Sequence, residues 1–217
     1  MLYTVLPGDT LSKIAAKFGV PISSLILLNH LQNPDDLLIG LQLKIPNLQD
    51  VPEDALFASP TPIVELIKRA KSMVGGSIDY KLGKGGLSAT SMSPSQNGYC
   101  DCSGFVCWVL GLSRQTTIPF YKNLGGWIYT DSIEADMKST AGIFDRLAEP
   151  APGCIVVYGA KDKIGHVGMV SEVAGGKMKK VIHCSSGNAR KYNHHSIQET
   201  LPTVFTRPDV LFGYFVG

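Results

Sequence analysis

Apolar positions recur at helical spacing in the first part of the chain and gather into continuous or alternating runs in the last part. Leu11, Ile14, Ala15 and Phe18 stand at i, i+3, i+4 and i+7 and predict an amphipathic helix, capped by Asp9 or Thr10 in Pro7-Gly8-Asp9-Thr10 and ended by Gly19. Ser23 or Ser24 caps a second helix carrying Leu25, Ile26 and Leu28, which Asn33-Pro34-Asp35-Asp36 breaks. Tyr3-Thr4-Val5 before these helices and the alternating Leu41-Gln42-Leu43-Lys44-Ile45 after them read as strands. Residues 1–46 thus form a small unit of order strand, helix, helix, strand, in which the helices stabilise a two-stranded sheet. Residues 47–61 contain Pro52 and Pro60 and no period, the pattern of a partly stiffened linker.

Beyond the linker, Thr61-Pro62 opens a helix whose buried face is Ile63, Leu66, Ile67, Ala70 and Val74. Phe105, Val106 and Val109 predict a helix that begins at Cys102 and stops at Gly111, and Thr130-Asp131-Ser132 caps a shorter one over residues 132–137. Strands are predicted over residues 151–159, 166–173, 178–184 and 212–216, with Gly175-Gly176 as a hairpin turn. Helices come first and strands cluster late, so residues 62–217 read as an α+β domain with an antiparallel sheet.

Asp101-Cys102-Ser103-Gly104-Phe105-Val106 sets a cysteine where a helix begins. Asp101 or Ser103 can cap that helix, and its unpaired N–H groups and aligned dipoles favour negative charge, which predicts a thiol pKa lowered toward the thiolate. His166, in Gly165-His166-Val167-Gly168-Met169-Val170, opens one predicted strand, and His183, in Val181-Ile182-His183-Cys184, closes the next. Cysteine on a helix, histidine on a strand and a polar residue on the next strand is the arrangement of papain-like catalysis. Taken singly, Cys102 also reads as a buried structural thiol and His166 as a satisfied strand histidine.

The order of Asp-Cys-Ser-Gly-Phe-Val, Pro152-Gly153-Cys154-Ile155-Val156-Val157, Gly-His-Val-Gly and the strand ending in His183 resembles the NlpC family of cell-wall cysteine peptidases. The resemblance implies a peptidoglycan endopeptidase in which Cys102 attacks a stem-peptide amide, His166 takes and returns the proton, and His183 orients His166. It also implies that Tyr80, in a Tyr-x-x-Gly segment, brings its hydroxyl near the thiol, although a tyrosine at a strand end with its hydroxyl in water fits the same residues. The N–H groups of Cys102 and Ser103, with Tyr80, would meet the oxyanion. This chain has Leu82 where the family often has tryptophan and Cys154 where it usually has aspartate. Trp127 reads as an aromatic wall of the substrate groove or as core. A thiol amidase or acyltransferase on the same fold, or an inactive wall-binding protein, are the rival readings.

Tyr-Thr-Val-x-Pro-Gly-Asp-Thr-Leu-x-x-Ile-Ala at residues 3–15, Phe18-Gly19-Val20, Leu28-Asn29 and Gly40-Leu41-Gln42-Leu43-Lys44-Ile45-Pro46 resemble the LysM domain, a carbohydrate-binding module. That resemblance implies a groove for N-acetylglucosamine-containing glycan between Gly8, Asp9, Thr10 and Leu11 on one side and Pro34, Asp35, Leu37, Leu38 and Ile39 on the other. The same residues admit a second reading, with Gly8 and Asp9 building a turn and cap and Leu37 and Ile39 in the core. A weak glycan module tethered by a linker would raise an enzyme's effective concentration at its polymer.

Composition narrows the field further. The 217 residues, 44% hydrophobic and 18% charged, have a formal net charge of +2, so neither nucleic-acid binding nor disorder is indicated. No apolar run approaches the ~20 residues of a membrane helix. Met1-Leu2-Tyr3-Thr4-Val5 shows no secretory signal, although the resemblance implies action at the bacterial cell wall, outside the cytoplasm. Five cysteines without regular spacing argue for reduced thiols, with Cys107 in the core and Cys154 buried and inert. His194-His195 and His30 read as surface, and no cofactor or metal is expected.

Overall fold

The computed structural model describes residues 2–18, 20, 25, 29, 37–45, 63–139, 141–160 and 164–216. They divide into two compact units, one reaching Glu65 and the other running over Leu66–Phe215. The expected linker at 47–61, together with Pro34, Asp35 and His30, lies outside the described residues.

In the first unit, strand β1 (Leu2–Thr4) pairs antiparallel with β2 (Gln42–Lys44), setting Tyr3 opposite Leu43. Helix α1 (Leu11–Phe18) buries Leu11, Ile14 and Ala15 in a core shared with Val5, Val20, Leu25, Leu43 and Ile45. Most of the second predicted helix falls outside the described residues, but Leu25 and Asn29 are both helical. Asn29 shows why an asparagine belongs there. Its Nδ2 donates to the Leu25 carbonyl at 2.8 Å and to the Lys44 carbonyl at 2.9 Å, while its Oδ1 accepts from the Lys44 N–H at 2.6 Å. One carboxamide thus pairs backbone groups of a short strand whose outer side would otherwise face solvent.

The second unit is built on a six-stranded sheet of β5 (Phe144–Leu147), β6 (Ile155–Tyr158), β7 (His166–Ala174), β8 (Lys177–Cys184), β9 (Ile197–Thr200) and β10 (Leu211–Phe215). Its spatial order is β5-β10-β6-β7-β8-β9, with every neighbouring pair antiparallel. The central strands match the predicted ones closely, and Gly175 and Gly176 close the β7–β8 hairpin with φ of +58° and +71°. The two edge strands, β5 and β9, were not predicted. Phe144-Asp145-Arg146-Leu147 and Ile197-Gln198-Glu199-Thr200 carry too much polar side chain to read as buried strands, as sheet edges often do.

Helix α2 (Ile63–Ser72) buries Leu66 and Ala70 of its predicted face, with Ile63 and Ile67 half-buried and Val74 beyond its end, and a short parallel pair, β3 (Asp79–Tyr80) with β4 (Tyr99–Cys100), follows. Helix α3 (Cys102–Val109) is buried on every side and packs on β7 and β8. Its end is set by Gly111 at φ +69°, the predicted stop. Short helices α4 (Pro119–Lys122), α5 (Thr130–Met137) and α6 (Ser186–Lys191) complete the unit. Helix α5 starts two residues before the predicted 132, because Ser132 Oγ accepts the Tyr129 N–H at 2.9 Å from inside the first turn rather than capping from outside it.

Helix α3 lies against the loop of residues 84–86 with no space between backbones. A Cβ on Gly104 would stand 2.6 Å from the Lys84 carbonyl oxygen and 2.9 Å from the Gly85 carbonyl carbon. Gly104→Ala should therefore lower stability by about 1–3 kcal/mol, seen as an earlier midpoint in thermal denaturation. An unchanged midpoint would show that this contact yields.

Candidate active site

Asp101 is the residue that caps α3. Its backbone is extended, its side-chain Oδ1 accepts the Gly104 N–H at 2.8 Å, and the helix therefore begins at Cys102. Ser103, the other candidate cap, instead donates its hydroxyl to Asp101 Oδ1 at 3.2 Å. The parallel pairing of β3 and β4 places Tyr80 beside Cys100, two residues before the thiol.

Asp101 is fully buried, and each of its oxygens is occupied. Oδ2 accepts from the Gly83 N–H at 2.6 Å and from Arg114 Nη2 at 2.8 Å. Arg114 also donates to Ser103 Oγ at 2.8 Å and to the Lys84 carbonyl at 3.2 Å. The network thus ties the cysteine helix to the loop that follows Tyr80. Arg114 was not singled out in the sequence, where Leu112-Ser113-Arg114-Gln115 carries no motif or period.

Both histidines lie on one face of the sheet. Tyr158 pairs directly with His166, and His183 pairs with Gln198, one step along the ladder from the Met169–Ile182 pair. His166 and His183 are therefore diagonal neighbours on adjacent strands, with His166 Nε2 and His183 Nδ1 2.8 Å apart. Gly168, of the Gly-His-Val-Gly motif, makes this approach possible: a Cβ there would stand 2.7 Å from Val181 Cγ1 and 3.1 Å from His183 Cβ. Phe205, which no sequence pattern marked, stacks on His166 with centroids 5.1 Å apart and planes at 18°, and meets His183 edge-on at 5.7 Å.

Burial decides the charge state. It pushes the Cys102 thiol up to about 12, and the neighbouring Asp101 and Cys184 act in the same direction, while the N–H groups of Val167 and Ser103 oppose it by hydrogen bonding to the sulfur. The predicted lowering at the helix N-terminus is therefore overturned, because the thiol is shut away from water. Burial, with a smaller effect of His183, lowers His166 to about 3, and burial alone lowers His183 to about 4. Burial thus favours the uncharged form of the thiol and of both imidazoles. Tyr80 and Tyr158 are raised mainly by burial, and both also feel the Cys102 sulfur, which puts them in the thiol's surroundings.

The remaining candidates divide. Trp127 is 40% exposed and thus free to form part of a surface wall. Cys107 and Cys154 are buried, with thiols raised to about 12 by that burial. His194 stands on the surface with Nδ1 2.8 Å from Asp79 Oδ2, and His195 Nδ1 lies 2.9 Å from the Gly76 carbonyl. In the first unit Leu11 is core, so its side chain cannot serve the groove assigned to it. Asp9 accepts from Tyr3 Oη at 2.7 Å and the Leu6 N–H at 2.8 Å, and Thr10 Oγ1 accepts the Lys13 N–H at 3.2 Å, so both shape the turn and cap. Gly8 holds that turn at φ +83°. Leu37 packs on the core, but Leu38 and Ile39 are 72% and 68% exposed, which overturns the core reading of Ile39. Among the described residues no group of His, Cys, Asp and Glu is placed to hold a metal ion, and no helix is long and apolar enough to cross a membrane.

Family models match two stretches of the chain: the LysM domain over residues 3–46 and the CHAP domain over residues 93–188. The chain joins a LysM domain to a CHAP domain. The CHAP match stands where the NlpC resemblance was read, a near-equivalent family, and it takes in Cys102, His166 and His183. The probable peptidoglycan endopeptidase LytE of Bacillus subtilis (strain 168) is 27% identical over 176 residues, which cover 76% of this chain and 48% of LytE. The chain spans about half the length of that curated relative.

Arg114→Met should destabilise the CHAP unit by about 3–5 kcal/mol, because it leaves the buried Asp101 carboxylate without its counter-charge; chemical denaturation at pH 7 measures this, and a loss under ~1 kcal/mol would contradict it. The histidines set a pH dependence of opposite origin to that of carboxylates. Folded, they resist protonation down to about 3 and 4, whereas unfolded they protonate near 6.5, so the unfolded state binds more protons in between. Stability is full above pH 6.5 and should fall as the pH drops from there toward 4. His183→Asn should make that fall shallower in denaturation midpoints measured across the window.

Proposed function

We propose that the chain is a peptidoglycan hydrolase that cleaves a stem-peptide amide through Cys102 while its LysM domain holds N-acetylglucosamine-containing glycan, and that it acts at the bacterial cell wall. The observation that carries this reading is the hydrogen-bonded His166–His183 pair on the two strands against which the cysteine helix packs, within a CHAP domain. The name of LytE, a probable peptidoglycan endopeptidase, supports the substrate class. Residues 1–46, 47–61 and 62–217 are read as module, linker and enzyme.

His183 occupies Nε2 of His166, which leaves Nδ1 as the base. As the sulfur attacks the amide carbonyl, the thiol proton passes to that nitrogen, and the imidazolium then donates it to the leaving amine. Because both groups start uncharged, the ion pair forms only along the reaction path. The oxyanion is met by the first-turn N–H of Cys102, with the Tyr80 hydroxyl as side-chain donor. Leu38 and Ile39, exposed on the loop before β2, supply apolar contact with sugar rings.

Cys102→Ala should abolish release of peptide fragments from purified peptidoglycan, read by mass spectrometry, and the wild-type fragments identify the bond. Intact walls after wild-type digestion would remove the endopeptidase reading and turn attention to acyl substrates. Removal of residues 1–46 should cut sedimentation with insoluble peptidoglycan; unchanged sedimentation would remove the role of the LysM domain.

A further inference from the structure

The His166–His183 pair does not end at His183. His183 Nε2 lies 2.9 Å from Thr200 Oγ1, and the Thr200 hydroxyl lies 3.0 Å from the Leu201 carbonyl oxygen. Thr200 stands on β9, opposite Val181 and two residues beyond Gln198, the partner of His183. His166, His183 and Thr200 thus run diagonally across three adjacent strands on the same face.

These contacts have a direction. A carbonyl oxygen can only accept, and a threonine hydroxyl has one proton, so the Thr200 proton goes to Leu201 and an Oγ1 lone pair faces His183. His183 must then carry its proton on Nε2, which makes its Nδ1 an acceptor. His166 in turn donates from Nε2, and its Nδ1 holds the lone pair. Each imidazole is neutral, so each has one proton, and fixing one end of the chain fixes the other.

We propose that Thr200 is a positioning residue that sets the tautomers of His183 and, through it, of His166, so that the His166 nitrogen left free by His183 is the basic one. A histidine as orienter needs such a partner, whereas a carboxylate does not: imidazole can present either a donor or an acceptor to its neighbour, and only its far nitrogen decides which. With His183 protonated on Nδ1, two N–H groups would confront each other at 2.8 Å, or His166 would turn its own N–H toward the thiol and cease to be a base. The inference rests on the reading of Cys102 and His166 as nucleophile and base.

The test compares wild type, Thr200→Val, which keeps the shape and loses the hydroxyl, and Thr200→Ser, which keeps the hydroxyl. Imidazole nitrogen NMR at pH 7 should find the His183 proton on Nε2 in wild type and a mixture of tautomers in the valine variant. The kcat for wall digestion should fall about tenfold to a hundredfold in the valine variant at unchanged KM, short of the ~10⁴ lost when a triad is held in the wrong tautomer. Alkylation of Cys102 by iodoacetamide should slow with it, and serine should restore all three readouts. A wild-type His183 proton on Nδ1, unaltered tautomers in the valine variant, or serine failing to rescue would each overturn the proposal. If Thr200→Val does not fold, the wild-type tautomer alone decides. Should wild type leave walls undigested while tautomer and alkylation behave as stated, the substrate reading falls and this one stands.

Discussion

A carboxylate buried beneath the thiol is the constraint on which the CHAP unit depends. Moving Asp101 out of water costs several kcal/mol unless its oxygens are fully engaged, and the fold engages them from three directions: the first turn of α3, the N–H of Gly83 and the guanidinium of Arg114. Meeting that demand places the other parts. The helix begins at Cys102 because Asp101 caps it, the loop after Tyr80 closes because Gly83 and Lys84 are held, and only glycine fits at 104 because that loop then lies on the helix. Asp101 is thus a joint between elements more than a cap of one.

The same burial governs the chemistry. A cysteine at a helix N-terminus is favoured as thiolate when water or a cation reaches it, but here the sulfur is enclosed, with the negative charge of Asp101 near and its counter-charge spent within the network. Aromatic and apolar packing around His166 and His183 disfavours imidazolium to a similar degree. The resting site is electrically quiet. With His166 in the proposed role of base, such a site places a premium on which nitrogen carries which proton, since hydrogen-bond direction replaces charge.

The LysM domain follows a related logic at smaller scale. Asn29 spends its three hydrogen bonds on backbone, Asp9 binds the Tyr3 hydroxyl and the Leu6 N–H, and Thr10 binds the Lys13 N–H at the start of α1. The polar residues of the motif hold the fold, while the apolar Leu38 and Ile39 stand in solvent. That is the reverse of the usual division of labour.

Local pattern by itself determined the α+β class, the LysM unit, the central strands, the buried face of α2 and the start and stop of the cysteine helix, because caps, glycine stops and apolar periods act within a few residues. Cys102, His166 and His183 stand out in the same way, as motifs in order, and the structure sets the two imidazoles in hydrogen-bond contact. The edge strands were not, since a strand paired on one side needs no apolar run, and Thr200 went unmarked with β9. Arg114 and Phe205 also carry no local signal; they matter only through partners far away in sequence, Asp101 for one and the two imidazoles for the other. The thiol's charge state was likewise left to tertiary structure. A helix terminus is a local feature, but the exclusion of water that outweighs it is made by the whole sheet, helix and loop closing together.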